Sequence, residues 1–289
     1  MKGSFARFVG IVLGFGLCFS PAYAVTLPFS STYDCAEQAE GSQGWVTCDG
    51  IGPYGGWTTA NGNGEQITSA ANNPGGGGGR GQRHWIGQSS GNTNGSGSTG
   101  FSFPRVQEIY VRWYVRWQAG LRLGGDTPPG STRNHKVIYF TGSGCGTSTQ
   151  GCYFDLKGGS FAFVQSGFPY DQGTGWDGLF GGSGYSTQSD GRWIMFEIHL
   201  KIATGGQNNG VAQWWVDGVL KLDVNNVNFS GSNGFTGFTL PENAQFTTVG
   251  GACCDMYEDI DDVAISTTGP IGPVGGTSPI SAPTNLRVQ

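Results

Sequence analysis

Between Glu108 and Trp117, Tyr110, Arg112, Tyr114 and Arg116 recur at every second position and alternate with Ile109, Val111, Trp113, Val115 and Trp117. A period of two is that of a β-strand, so the polar four share one side and the apolar five the other. Aromatic faces stack on sugar rings, and guanidinium groups pair bidentately with carboxylates or sulfates. The strip is therefore a candidate platform for a glycan, although ordinary cross-strand packing on a solvated face uses the same residue types. His135 stands between Arg133 and Lys136, cations that favour its neutral, proton-accepting form. His84 beside Trp85, and His199 in a row with Glu197 and Lys201, have simpler readings as packing and surface residues.

Strands must position these groups. From Trp193 to Ile202, Ile194, Phe196, Ile198, Leu200 and Ile202 alternate with Trp193, Met195, Glu197, His199 and Lys201, giving one core side and one wet side. The loop Gly205 to Gly210 leads into a strand Val211 to Val216, and Asp217-Gly218 is a hairpin turn signal into Val219 to Val224. Further strands are expected at Gly81 to Ile86, Lys136 to Thr141, Cys152 to Lys157, Ser160 to Gln165 and Asp259 to Ser266, with Lys157-Gly158-Gly159-Ser160 as a hairpin. Asn61 to Gly100, with the run Gly75 to Gly79 and the polar tract Gln88 to Gly100, reads as long loops around one short strand. Ser166 to Gly191 reads as a Gly- and aromatic-rich loop placed to wall a cleft.

Met1 to Ala24 has a basic start (Lys2, Arg7), an apolar stretch from Phe8 to Phe19 and a small-residue cleavage site at Ala22-Tyr23-Ala24. It reads as a secretory signal peptide, which puts the mature chain in the extracellular space or the periplasm. No later segment is long and apolar enough to cross a bilayer as a helix. Six cysteines then remain, an even number that suggests disulfides in an exported chain. Cys35 with Cys48 and Cys145 with Cys152 are the preferred local pairs, while Cys253 and Cys254 pair with each other or with the others. No CxxC or histidine spacing supports zinc. With 54 Gly and only 12% charged residues, the chain is rich in turns and poor in helix. Its net charge of -5 argues against a general nucleic-acid binder. One domain is expected over 25–267, followed by a Pro- and Gly-rich tail, 268–289, that reads as an extended linker.

Several segments, in order, resemble the concanavalin A-like lectin/glucanase jelly-roll superfamily, and within it bacterial polysaccharide lyases. They are Gly79 to Trp85, Glu108 to Tyr114, His135 to Phe140, Trp193 to Lys201, Trp214 to Gly218 and Asp261 to Ser266. The resemblance implies an all-β fold, a two-sheet antiparallel β-sandwich. It also implies β-elimination on an acidic polysaccharide, in which a basic residue neutralises the uronate carboxylate, His or Tyr removes the C5 proton and Tyr protonates the leaving oxygen. By position, Arg83, His135 and Lys136 fall in the catalytic set, with Tyr139, Tyr114 and Tyr257 as candidate proton donors. The Tyr-Phe-Lys-Ala-Gly motif of alginate lyases is replaced here by Met256-Tyr257-Glu258-Asp259-Ile260. The Glu-x-Asp-x-x-Glu strand of jelly-roll glycoside hydrolases is also missing from Glu258 to Asp262, which disfavours hydrolysis by paired carboxyls. Related jelly rolls suggest another use for that acidic strand, a structural calcium site in which Asp261 or Asp262 joins Asp34, Glu37 or Asp49. An acidic sheet edge that discourages strand pairing is the simpler alternative.

Three functions fit these features: a secreted glycan-binding protein, a lyase for an acidic polysaccharide, or a structural or adhesive cell-surface protein without enzymatic activity. A cleft where the candidate residues converge would favour the second, and a flat surface the third.

Overall fold

Alternation governs the architecture. The computed structural model describes residues 24–35, 40–41, 52–54, 65–89, 92–96, 98–123, 134–140, 145, 151–157, 160–165, 168–175, 189–205, 207–229, 233–241, 243–244, 246–248 and 256–275. Among them, nineteen strands form two large sheets and one small ribbon. The first sheet runs β15 (Val219–Val227), β14 (Gly210–Val216), β13 (Ile194–Lys201), β7 (Glu108–Trp117), β19 (Met256–Ser266), β4 (Gly81–Ser89) and β3 (Glu65–Thr68), with β1 (Phe29–Ser31) on β19 and β5 (Asn92–Ser96) on β4. The second runs β12 (Phe168–Gly175), β11 (Ser160–Gln165), β10 (Cys152–Lys157), β9 (Asn134–Phe140), β16 (Phe235–Leu240), β6 (Ser98–Val106) and β2 (Gly52–Tyr54), with β17 (Asn243–Ala244) on β9. β8 (Leu121–Leu123) and β18 (Phe246–Thr248) form the ribbon. The described pairings are antiparallel, and the fold is the expected two-sheet sandwich.

The apolar half of each strand fills the space between the sheets. Trp214 of β14 meets Phe196 of its own sheet and Phe154 and Phe161 of the facing sheet, all edge-on, with ring centroids 5.1, 5.7 and 4.9 Å away. Such contacts contribute about 0.5–1.5 kcal/mol each beyond the area they bury. Asp217 and Gly218 turn the β14–β15 hairpin with φ of 48° and 78°, the left-handed geometry its two-residue turn requires.

Two expected loops contain strands. The tract Gln88 to Gly100 contains β5 and the start of β6, and the segment after Ser166 begins with β12, while 176–188 lie outside the described residues. Their Gly and Asn content gives little intrinsic strand preference, so pairing to β4 and β11 supplies the order. Cys145 and Cys152 are joined as expected. Cys35 is also disulfide-bonded. Its preferred partner Cys48, like Cys253 and Cys254, lies outside the described residues.

The first part of the tail is no linker. Residues 268–275 lie as a strap across the outward side of the first sheet, where Glu197, fully buried, accepts N–H bonds from Ile271 at 2.8 Å and Gly272 at 2.9 Å. Arg112 Nη1 donates to the Gly272 carbonyl at 3.4 Å, and Tyr114 Oη accepts the Val274 N–H at 3.2 Å. Burial pushes the Glu197 carboxyl up, and the two N–H groups pull it partly back. Hydrogen bonds to a charged acceptor contribute more than neutral ones, so a chain ending at Thr267 should lose about 2–4 kcal/mol of unfolding free energy. Urea titration checks this, and Glu197→Ala in the shortened chain should add little, because the two changes remove one interaction.

Candidate functional site

β9 and β10 place three polar side chains together on the outward side of the second sheet. Lys136 Nζ sits 4.7 Å from the Tyr153 ring centroid and 5.6 Å from that of Tyr139, and the two rings stack 5.7 Å apart at 14°. Asp155, fully buried, stands opposite Lys136 in the strand register, and Tyr153 stands opposite Tyr139. On the next strand, Val164 lies beside Tyr153 and Ala162 beside Asp155, both small and buried.

The disulfide closes the segment from Cys145 to Cys152, which brings the Gly151 N–H to Tyr139 Oη at 2.8 Å. A side chain at 151 would put its Cβ 2.1 Å from the Phe140 carbonyl oxygen and 3.0 Å from the Tyr139 ring, so the approach requires glycine. Tyr139 oxygen accepts here and its own proton is directed elsewhere. Burial pushes the Tyr153 phenol up, with Asp155 and Tyr139 adding to the effect, so Tyr153 stays protonated at neutral pH. The arrangement can pair a cation with a carboxylate, stack against a sugar and move a proton.

Of the expected catalytic set, the structure brings Lys136 and Tyr139 together and separates Arg83 and His135 from them. His135 points into the sandwich, where its ring meets Trp117 edge-on at 5.7 Å and Nε2 lies 2.9 Å from Glu258 Oε2. It is only 2% exposed and does not reach the outward face. Arg83 lies on the outward side of the first sheet, across the core. It pairs bidentately with Asp259 at 2.7 and 3.0 Å and packs over the Tyr257 ring at 3.6 Å. Tyr257 and Tyr114 belong to that same side.

The Tyr110, Arg112, Tyr114, Arg116 strip shares one side as expected, yet the protein itself occupies it. Tyr110 stacks on His199 at 4.1 Å, and burial, with Glu108 beside it, pushes its phenol up to about 12. Arg112 and Tyr114 hold the strap, and Arg116 shares Asp259 with Arg83. The strap and neighbouring side chains thus engage the expected glycan platform, burying Arg112 and leaving Tyr110, Tyr114 and Arg116 partly exposed, which the period of two could not reveal. Sequence reasoning missed Tyr153 and Asp155, although their alternation with Phe154 and Leu156 marked them as outward-facing.

Asp261 and Asp262 come together with Asp34 around the run Gly75 to Gly79. Asp261 accepts N–H bonds from Asn73 at 2.8 Å and Asp262 at 2.7 Å. Asp262 accepts them from Gly77 at 2.9 Å and Asn73 Nδ2 at 3.0 Å, and Asp34 from Gly79 at 2.9 Å. Gly76 and Gly78 leave no room for a Cβ, which would fall 1.6 Å from an oxygen of Asp262 or Asp34. All four oxygens of Asp261 and Asp262 thus face N–H donors, and among the described residues no group of three or more His, Cys, Asp or Glu is arranged to hold a metal. Glu37 and Asp49, the other expected calcium ligands, lie outside the described residues.

No protein-family model and no curated protein matches the chain. Solved structures do share its fold. A mutant of alginate lyase Aly36B in complex with alginate trisaccharide aligns with TM-score 0.55 at 15% identity, covering 85% of this chain and 99% of that one. Another, in complex with alginate tetrasaccharide, aligns with TM-score 0.53 at 16% identity, covering 84% and 98%. An endo-β-1,4-glucuronan lyase from the fungus Trichoderma reesei aligns at 0.44 and 14%, covering 74% and 94%. The first two matches make the chain similar in fold to alginate lyase Aly36B.

Burial, together with the charges of Asp262 and Asp34, raises the Asp261 carboxyl to about 8. Its folded value lies above its unfolded one, so its protonation stabilises the fold fully below about pH 4, and that contribution is lost as pH rises through about 8. Thermal midpoints should fall from pH 6 to pH 9, and Asp261→Asn should flatten that slope. A midpoint raised by added calcium would instead identify a cation site.

Proposed function

We propose that this chain is a secreted protein that binds an acidic polysaccharide on the outward side of the second sheet and cleaves it by β-elimination. The observation that carries the reading is the Lys136 ammonium held against the faces of Tyr139 and Tyr153. Lys136 pairs with the uronate carboxylate. That neutralisation matters because the C5 proton is otherwise too weakly acidic, and a positioned cation stabilises the enolate that forms when it leaves. Tyr139 moves the proton: after its own phenol proton has left to solvent, its oxygen, which accepts the Gly151 N–H, takes the C5 proton and hands it to the departing glycosidic oxygen. Tyr153, kept protonated, stacks on the neighbouring sugar. Likeness in fold to a lyase complexed with alginate trisaccharide supports the substrate class. Export is supported by the disulfides, which persist in oxidising compartments.

The test is incubation with a panel of uronate polymers, following the ultraviolet absorbance of the unsaturated product. Wild type should raise it on at least one polymer, and Lys136→Ala and Tyr139→Phe should each lower kcat/KM by about 10²–10⁴-fold. Binding without product would leave a glycan-binding module, and neither binding nor product would remove the reading.

A further inference from the structure

In a regular strand, residues three apart face opposite sides, yet Lys136 and Tyr139 both face outward. The extra residue is Val137. Ile138 pairs with Phe154 and Lys136 with Asp155, so Val137 has no counterpart on β10. This is a β-bulge, which leaves one residue out of the ladder and is set by the packing on either side of it. On one side Ile138 and Phe140 enter the core. On the other, His135 reaches across the sandwich to Glu258 of β19, whose Oε2 also accepts the Trp117 indole N–H. His84 of β4 stands opposite Glu258 in the register, and all four side chains are buried. Ala244 of β17 flanks His135 on the remaining edge.

We propose that His135 and Glu258 are positioning residues: their contact across the sheets pins β9 just before its bulge and so aims Lys136 at the same sugar as Tyr139. This rests on the reading of Lys136, Tyr139 and Tyr153 as the cleaving face. His135 exchanges no proton with substrate. Its imidazole is replaceable by any side chain of similar reach that can donate to the Glu258 carboxylate.

The experiment compares wild type, His135→Gln and His135→Ala on the uronate polymer that wild type cleaves, with amide deuterium exchange over residues 134–140 as a second readout. Glutamine keeps a donor toward Glu258, so kcat should stay within about 3-fold of wild type and the pH profile should keep its shape, a change far smaller than the loss of a proton-transfer group brings. Alanine releases the strand; kcat should fall on the order of 10²-fold, the scale of a 1 Å misplacement, with faster exchange at 134–140. Glutamine as inactive as alanine would overturn the proposal in favour of proton chemistry at His135, and a fully active alanine variant would overturn it outright. If wild type cleaves nothing, the enzymatic reading alone falls. Exchange then decides the anchor: faster in the alanine variant only supports it, and unchanged in both overturns it.

Discussion

A β-strand presents its side chains alternately to two sides, and a sandwich makes those sides incompatible: one must be dry and apolar, the other polar. Every other feature of this chain is arranged around that division. The interior is filled by interleaved aromatic rings such as Trp214 among Phe154, Phe161 and Phe196. Because that interior tolerates no slip of register, the outward residues are fixed with equal strictness. β9 breaks the rule once, at Val137, and so turns two residues of the wrong parity toward the same face.

The two outward faces are used differently. On the first sheet, carboxylates hidden from water organise the protein itself. Glu197 receives the strap, Asp259 joins Arg83 to Arg116, and Asp261 with Asp262 gathers the glycine run. A buried carboxylate is tolerable only when donors surround it, as N–H groups or guanidinium do for Glu197, Asp259 and Asp262, whereas Asp261, raised to about 8, is held neutral at pH 7. The second sheet instead carries a lysine against the rings of two stacked phenols, with small side chains beside it. On that second face, the front, Lys136, Tyr139 and Tyr153 keep partial exposure beside the buried Asp155, Ala162 and Val164.

How much was legible follows from that difference. Glu108–Trp117, Cys152–Lys157 and Ser160–Gln165 were readable to the residue, because apolar alternation is a local property. Lys136 and Tyr139 were identifiable as chemically capable, but their shared face was not, since it depends on a bulge that leaves no signature in a run of Val, Ile and Tyr. The role of Arg83 depended on which sheet β4 joins, a long-range matter. The Tyr and Arg strip had the composition of a sugar platform, and the return of residues 268–275 onto Arg112 and Tyr114 is a long-range contact that the strip itself does not announce. Proline and glycine in that strap suggested a linker, yet the same lack of internal pairing frees its N–H groups for Glu197.

The central claim is that the front of the second sheet is where an acidic glycan sits. A crystal structure of the Tyr139→Phe variant soaked with a uronate tetrasaccharide tests it most directly, because Lys136 is retained while turnover is slowed. The account predicts sugar density across β9, β10 and β11, with a carboxylate on Lys136 Nζ and a ring stacked on Tyr153. Density on the outward side of the first sheet, or a front face left bare at saturating sugar, would contradict it.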